Sequence, residues 1–246
     1  DGPVVDVARK PRFWQLRAQK ALSLHALEKV VGAMSSDPRV KGLLVTIRSL
    51  EAGMATASSL RELLARARAA GKDVVVHLPR GGASKEVYVA SAASKVFLGP
   101  AALLAPLGFR TSARYLKGVL ERAGIEPQVF ACGEFKSAGE TLVRDAMSPE
   151  QRAQLERLLD AYHLELISGI SSGRGLSSER ATAIVEGAPY FGQEAIAAGL
   201  VDDVVYEDEA LEKLEGPLAR DAKDANVQKP RRVDAGVSLA AVERRL

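Results

Sequence analysis

The apolar residues of this chain recur with two different periods, and the two alternate along its length. Residues 40–47 (VKGLLVTI), Asp73–Leu78 (DVVVHL) and Lys95–Leu98 (KVFL) are short, nearly continuous apolar runs rich in β-branched side chains. Runs of that length and continuity predict strands buried on both faces. Around them, apolar positions return every three to four residues. Residues 55–70 have this helical period and stop at Gly71, a residue suited to the turn that closes a helix. The same period marks an opening helix through Leu22, Leu27 and Val31, a short helix over 85–91, one over 112–123 closed by Gly124, and two more over 177–186 and 193–198. Ser148-Pro149 pairs a capping side chain with a proline at the first helical position, which predicts a long helix to about Ile170. Residues 126–132 (EPQVFAC) and 200–206 complete the set as strands.

Strands separated by helices predict βαβ units, hence an α/β fold with a mostly parallel sheet and right-handed crossovers. After Glu215 the chain turns polar and charge-rich, through Gly216-Pro217 and Lys229-Pro230-Arg231-Arg232. Residues 1–215 are therefore expected to form the α/β domain, and 216–246 a charged tail or linker towards a second domain. A basic lead, Arg9, Lys10 and Arg12, precedes the first helix.

Composition narrows the function classes. The 246 residues are 47% hydrophobic and 26% charged, with 34 Lys and Arg against 31 Asp and Glu. That is an ordinary globular balance, too apolar for disorder. A net charge of +3 without a basic stripe or interleaved aromatics does not point to nucleic acid. The uncharged run over residues 96–109 is shorter than a membrane span and is broken by Gly99, Pro100, Pro106 and Gly108. One cysteine, Cys132, excludes an internal disulfide and, at the end of an apolar strand, is expected to be a buried, inert thiol. His25, His77 and His163 are scattered without metal-ligand spacing, so all three are expected to be structural or surface residues and no metal or cofactor is expected.

Two places hold candidate chemistry. Gly81-Gly82 lies between a strand and a helix, where backbone N–H groups face either a turn or an anion. Lys136 follows a strand, between Phe135 and a run of small residues, where side chains face a cleft. A lysine there is either a solvated charge or a general base. The second role needs a desolvated amine, with the pKa lowered from about 10.4 towards 7–8.

Residues 133–140 (GEFKSAGE), with Arg144 and 147–150 (MSPE), resemble the lysine motif of the Ser/Lys signal peptide peptidase family, SppA. Three further segments fall in register with that family: 46–58 (TIRSLEAGMATAS), 83–98 (ASKEVYVASAASKVFL) and 190–204 (YFGQEAIAAGLVDDV). The resemblance spans about residues 40–205 and implies a Clp-protease/crotonase-like α/β fold. It also implies a serine nucleophile whose proton is taken by a neutral lysine, a pair that needs no third group to fix a tautomer. Lys136 matches the general base. Ser84 matches the nucleophile's position, with a helix N-cap as its structural alternative. Gly53 matches the loop that contributes to the oxyanion and substrate site.

The chain departs from the family where the serine should be followed by Gly-Gly: here Lys85-Glu86 follow. The loop's proline-glycine pair is likewise reduced, to Glu51-Ala52-Gly53. An intact lysine motif beside an altered serine motif resembles the front half of the double-length family form, whose nucleophile lies on a second, homologous peptidase domain. The implied protein degrades signal peptides or small hydrophobic peptides, forms homo-oligomers, and associates through other segments with the bacterial inner membrane, facing the periplasm. A non-catalytic assembly scaffold on the same fold is the alternative. An acyl-CoA enzyme of the crotonase type would need Glu51 or Glu86 as its acid or base.

Overall fold

The computed structural model describes residues 4–5 and 22–224. The chain packs as two units, Asp1–Leu107 with Leu166–Leu246 and Gly108–Glu165. The first unit opens with β1 (Val4–Val5) and β2 (Leu22–Ser23), a short parallel pair. It continues through α1 (Leu24–Ser36), β3 (Gly42–Thr46), α2 (Met54–Ala69), β4 (Asp73–Leu78), β5 (Gly81–Gly82), α3 (Ser84–Ala90), β6 (Lys95–Leu98) and β7 (Leu103–Leu104). The second unit holds α4 (Lys117–Arg122), a 3-10 turn (Ser137–Gly139), α5 (Glu140–Val143) and the start of α6 (Pro149–Arg174). The first unit then closes with α7 (Ser178–Glu186), β8 (Tyr190–Phe191), α8 (Gly192–Ala197), β9 (Asp203–Val204) and α9 (Glu207–Asp224).

Strands β3, β4, β6 and β9 lie side by side in that order, all parallel, with Gly42 opposite Asp73 and Val75 opposite Lys95. Every residue of β4 after Asp73 is buried, as its unbroken apolar run predicts. A second sheet, β5-β7-β8, is parallel between β5 and β7 and antiparallel between β7 and β8. The fold is thus the expected α/β class, a parallel central sheet with flanking helices.

Packing explains the fixed glycines. Gly169 of α6 lies under the Tyr88 ring, where a Cβ would come within 2.5 Å of it. One buried charge also works for the fold: Lys72 donates from Nζ to the carbonyls of Asp37 and Val40 at 2.7 and 2.8 Å. It thereby braces the turn that follows α1.

Several elements differ from the sequence reading. Residues 126–132 form no strand; Pro127 removes one donor, and no neighbouring strand pairs with the segment among the described residues. The helix expected over 112–123 starts only at Lys117, because the Leu116 N–H goes to the Thr141 carbonyl at 2.7 Å. The last strand shrinks to β9, since the N–H groups of Leu200 and Val201 both turn back to Ala195. Gly81-Gly82 is a strand rather than a turn: Gly81, at φ +80°, sits against the Leu103 backbone where any Cβ would collide. Helix α6 runs four residues beyond Ile170, and α9 runs through Gly216-Pro217 to Asp224. The basic lead and residues 225–246 of the charged tail lie outside the described residues.

Candidate active site

The loop that carries Lys136 is built by its neighbours in sequence. Gly133, at φ +99°, reverses the chain, and its carbonyl accepts the Lys136 N–H at 3.1 Å. Three residues beyond Lys136, Gly139 leaves the space that the Val129 side chain occupies. Glu140 then ties the loop to α6: its carboxylate accepts the Ser148 hydroxyl at 2.8 Å and the Ser148 N–H at 3.3 Å. Ser148 in turn caps α6, accepting the Gln151 N–H at 3.1 Å, so the predicted cap is present. Ser148 is 1% exposed, which makes Glu140 the residue that satisfies a buried donor pair. That role was not recognised from the sequence, although a carboxylate eight residues before a Ser-Pro cap was its signal.

Lys136 itself is exposed, and among the described residues its amine has no hydrogen-bond or ion-pair partner. The neighbouring Phe135 is 56% exposed and Phe130 is 93% exposed. Nothing described in this chain therefore supplies the desolvation that a basic lysine needs. Cys132, expected to be buried, is exposed, because the strand that was to bury it does not form. A second cation of this unit, Lys117, is committed to Asp145 at 3.0 Å, and that hydrogen bond holds its amine above the usual lysine range.

Ser84 belongs to the other unit. It is the first residue of α3 rather than its N-cap, which is Ala83. Ser84 is 4% exposed, and its hydroxyl donates to the Pro106 carbonyl at 3.4 Å. The two residues that stand in place of Gly-Gly both reach back to the loop after β3. Lys85 donates from Nζ to the Ala52 carbonyl at 2.6 Å. Glu86, 9% exposed, accepts the Leu50 N–H on one carboxylate oxygen at 2.8 Å and the Ala83 N–H on the other at 3.1 Å. A carboxylate held this way is unsuited to the proton transfers an acyl-CoA enzyme would ask of it.

Gly53 is the N-cap of α2, at φ −71°, with open space where a Cβ would be. Its own conformation does not call for glycine. Of the histidines, His77 is buried on β4, His25 is exposed and His163 is half-buried, so all three are structural or surface residues. Two of the surface grooves among the described residues, of about 440 and 520 Å³, are lined by none of Ser84, Gly53 and Lys136.

The Gly-Gln-Glu-Ala box and its following Asp are architectural. Glu194 accepts the Phe191 N–H at the start of α8. Asp202 accepts the Val96 N–H at 2.7 Å and receives two hydrogen bonds from Arg174, at 2.8 and 3.0 Å. Asp202 thus fixes the end of α6 beside the start of β6, while Glu194 caps α8.

Comparison with known proteins agrees with the motifs. The chain is 31% identical over 202 residues to serine protease SPPA, chloroplastic, of Arabidopsis thaliana, a match covering 82% of this chain and 30% of that protein. An Enterococcus faecium protein carrying the signal peptide peptidase SppA name is 22% identical over 221 residues, covering 87% of this chain and 60% of its own length. Protease 4 of Haemophilus influenzae is 23% identical over 189 residues, covering 73% and 31% respectively. The chain thus spans under a third of two of these relatives and about three fifths of the other. Residues 66–220 match the family described as Peptidase family S49, which is more than half of the 246-residue sequence, and the chain belongs to that family.

Proposed function

We propose that this chain is the lysine-bearing unit of a serine endopeptidase that degrades signal peptides or small hydrophobic peptides, with Lys136 as general base. A serine Oγ attacks the peptide carbonyl while its proton passes to the neutral amine of Lys136. The lysine then returns that proton to the leaving nitrogen, and water repeats the sequence on the acyl ester. The serine belongs to a homologous domain outside this sequence, and docking of that domain removes water from the lysine. The protein acts as a homo-oligomer at the bacterial inner membrane, facing the periplasm, and is held there by segments outside this sequence.

The observation that supports this reading is the loop around Lys136. It is tethered after the lysine, where Glu140 holds Ser148, while the amine is unclaimed among the described residues. An unpaired cation beside such a tether suits a group kept for a reaction.

The test uses the full-length parent protein and a fluorogenic hydrophobic peptide. Lys136→Ala is expected to lower kcat/KM by about a hundredfold to ten-thousandfold, the range that a general base supplies, with an unchanged far-UV spectrum. Turnover retained by that variant would leave the alternative, a non-catalytic assembly scaffold. The exposure of Phe130 and Phe135 beside Lys136 is the observation that favours the alternative.

A further inference from the structure

The C-terminal half of α2 carries Arg61, Arg66 and Arg68. Arg66 lies 3.1 Å from Glu28 and 4.0 Å from Glu62. Arg39, Arg48 and Arg174 of the same unit also pair with carboxylates. Arg61 and Arg68 meet no carboxylate among the described residues. Residues 61, 65, 68 and 69 share one face of α2, and that face forms a wall of the groove of about 440 Å³. Ala92, just after α3, and Ser172 and Gly173 of α6 complete its lining, in which no described residue is acidic.

The Arg61 guanidinium is fixed in place. Its Nη2 donates to the Gly169 carbonyl at 2.8 Å and to the Ser172 hydroxyl oxygen at 3.0 Å, and the group lies 5.3 Å from the centre of the Tyr88 ring. These partners are neutral, so the positive charge is not offset. Its Nε is buried without an acceptor, and its Nη1 has none among the described residues. Arg68 is exposed and makes one long contact, from Nη1 to the Ala93 carbonyl at 3.5 Å. Both arginines thus keep donors for an acceptor from outside the chain.

We infer that this groove binds a small organic carboxylate, held by Arg61 and Arg68, with a short apolar body against Ala65, Ala69, Ala92 and Gly173. A planar carboxylate matches the guanidinium fork. Helix α2 ends at Ala69 and α6 at Arg174. The negative ends of two helix dipoles therefore lie beside the groove, which favours a single negative charge over a doubly charged phosphate.

The test follows the Ala65, Ala69 and Gly173 amides of the full chain by NMR as acetate, butyrate or inorganic phosphate is added at constant ionic strength. Butyrate is expected to shift all three saturably and to bind about fourfold or more tighter than acetate, the worth of one buried methylene. No saturable shift with butyrate, equal affinities for butyrate and acetate, or tighter binding of phosphate would each overturn the inference. Arg68→Gln is expected to weaken butyrate about tenfold or more, the worth of a charge-assisted hydrogen bond. Arg66→Gln, on the same helix but paired with Glu28, is expected to leave the affinity unchanged.

Unchanged affinity in Arg68→Gln, or an equal loss in Arg66→Gln, would show that no built site holds the anion and overturn the inference. Should Arg68→Gln fail to fold, Arg68→Lys serves, since it keeps the charge and loses the fork. Its affinity is expected to fall, and an unchanged value would overturn the inference. Turnover by Lys136→Ala would remove the proposed function and leave these titrations untouched.

Discussion

Glu140 shows how a single side chain holds a candidate catalytic loop without touching the chemistry. Its carboxylate takes both the hydroxyl and the N–H of Ser148, a residue almost wholly buried at the start of α6. Truncation to alanine strands both donors, and a buried donor without a partner costs about 1–3 kcal/mol. Glu140→Ala is therefore expected to speed native-state exchange of amides 148–152, with Glu140→Gln losing less because it keeps one acceptor oxygen. Equal exchange in all three proteins would show that the contact carries no stability. At this scale the motif was legible in the sequence as residue types, but their division of labour was not. Lys136 and Glu140 belong to one motif, yet the lysine is exposed and the glutamate is the anchor.

Strand β4 illustrates what an element does to a titratable group. His77 is 0% exposed. Its Nε2–H donates to the Val205 carbonyl at 3.2 Å, while Nδ1 has no partner among the described residues. Burial pushes its pKa below the ordinary 6.5, against a smaller opposing pull from the Val205 carbonyl and from Glu207, with Arg48 adding to the lowering. The unfolded chain therefore binds a proton near pH 6.5 that the folded chain refuses until the solution is more acidic. The resulting stability is complete above about pH 6.5 and is lost as the pH falls below it. His77→Phe is expected to flatten that part of the urea-midpoint profile, and an identical slope in the two proteins would refute this origin. The sequence reading placed β4 correctly because the five consecutive residues 74–78 share one buried environment. It overextended residues 126–132, whose apolar pattern has no neighbouring strand to complete it, and a strand exists only as half of a pair.

Across the whole molecule the core is unevenly divided. The buried strands and helices belong to the first unit, whereas within residues 108–165 Ser148 alone is buried. Val119, Phe130 and Leu164 are 64%, 93% and 66% exposed in that second unit. With few buried apolar contacts and few backbone hydrogen bonds around residues 126–135, local opening there requires little free energy. Hydrogen exchange on the full chain is expected to deuterate 126–135 well before β4 and β6, and matched rates would contradict this account. The α/β class, the order of the main strands and helices, the α6 cap and the family motifs could be read from the residues alone. Each depends on local period or local chemistry, which the chain carries wherever it goes. The state of Lys136, the exposure of Cys132, the position of Ser84 inside α3 and the capture of Leu50 and Ala83 by Glu86 could not. These depend on segments far apart in sequence, such as residues 50 and 86, and burial and hydrogen-bond partners arise only when folding brings such segments together.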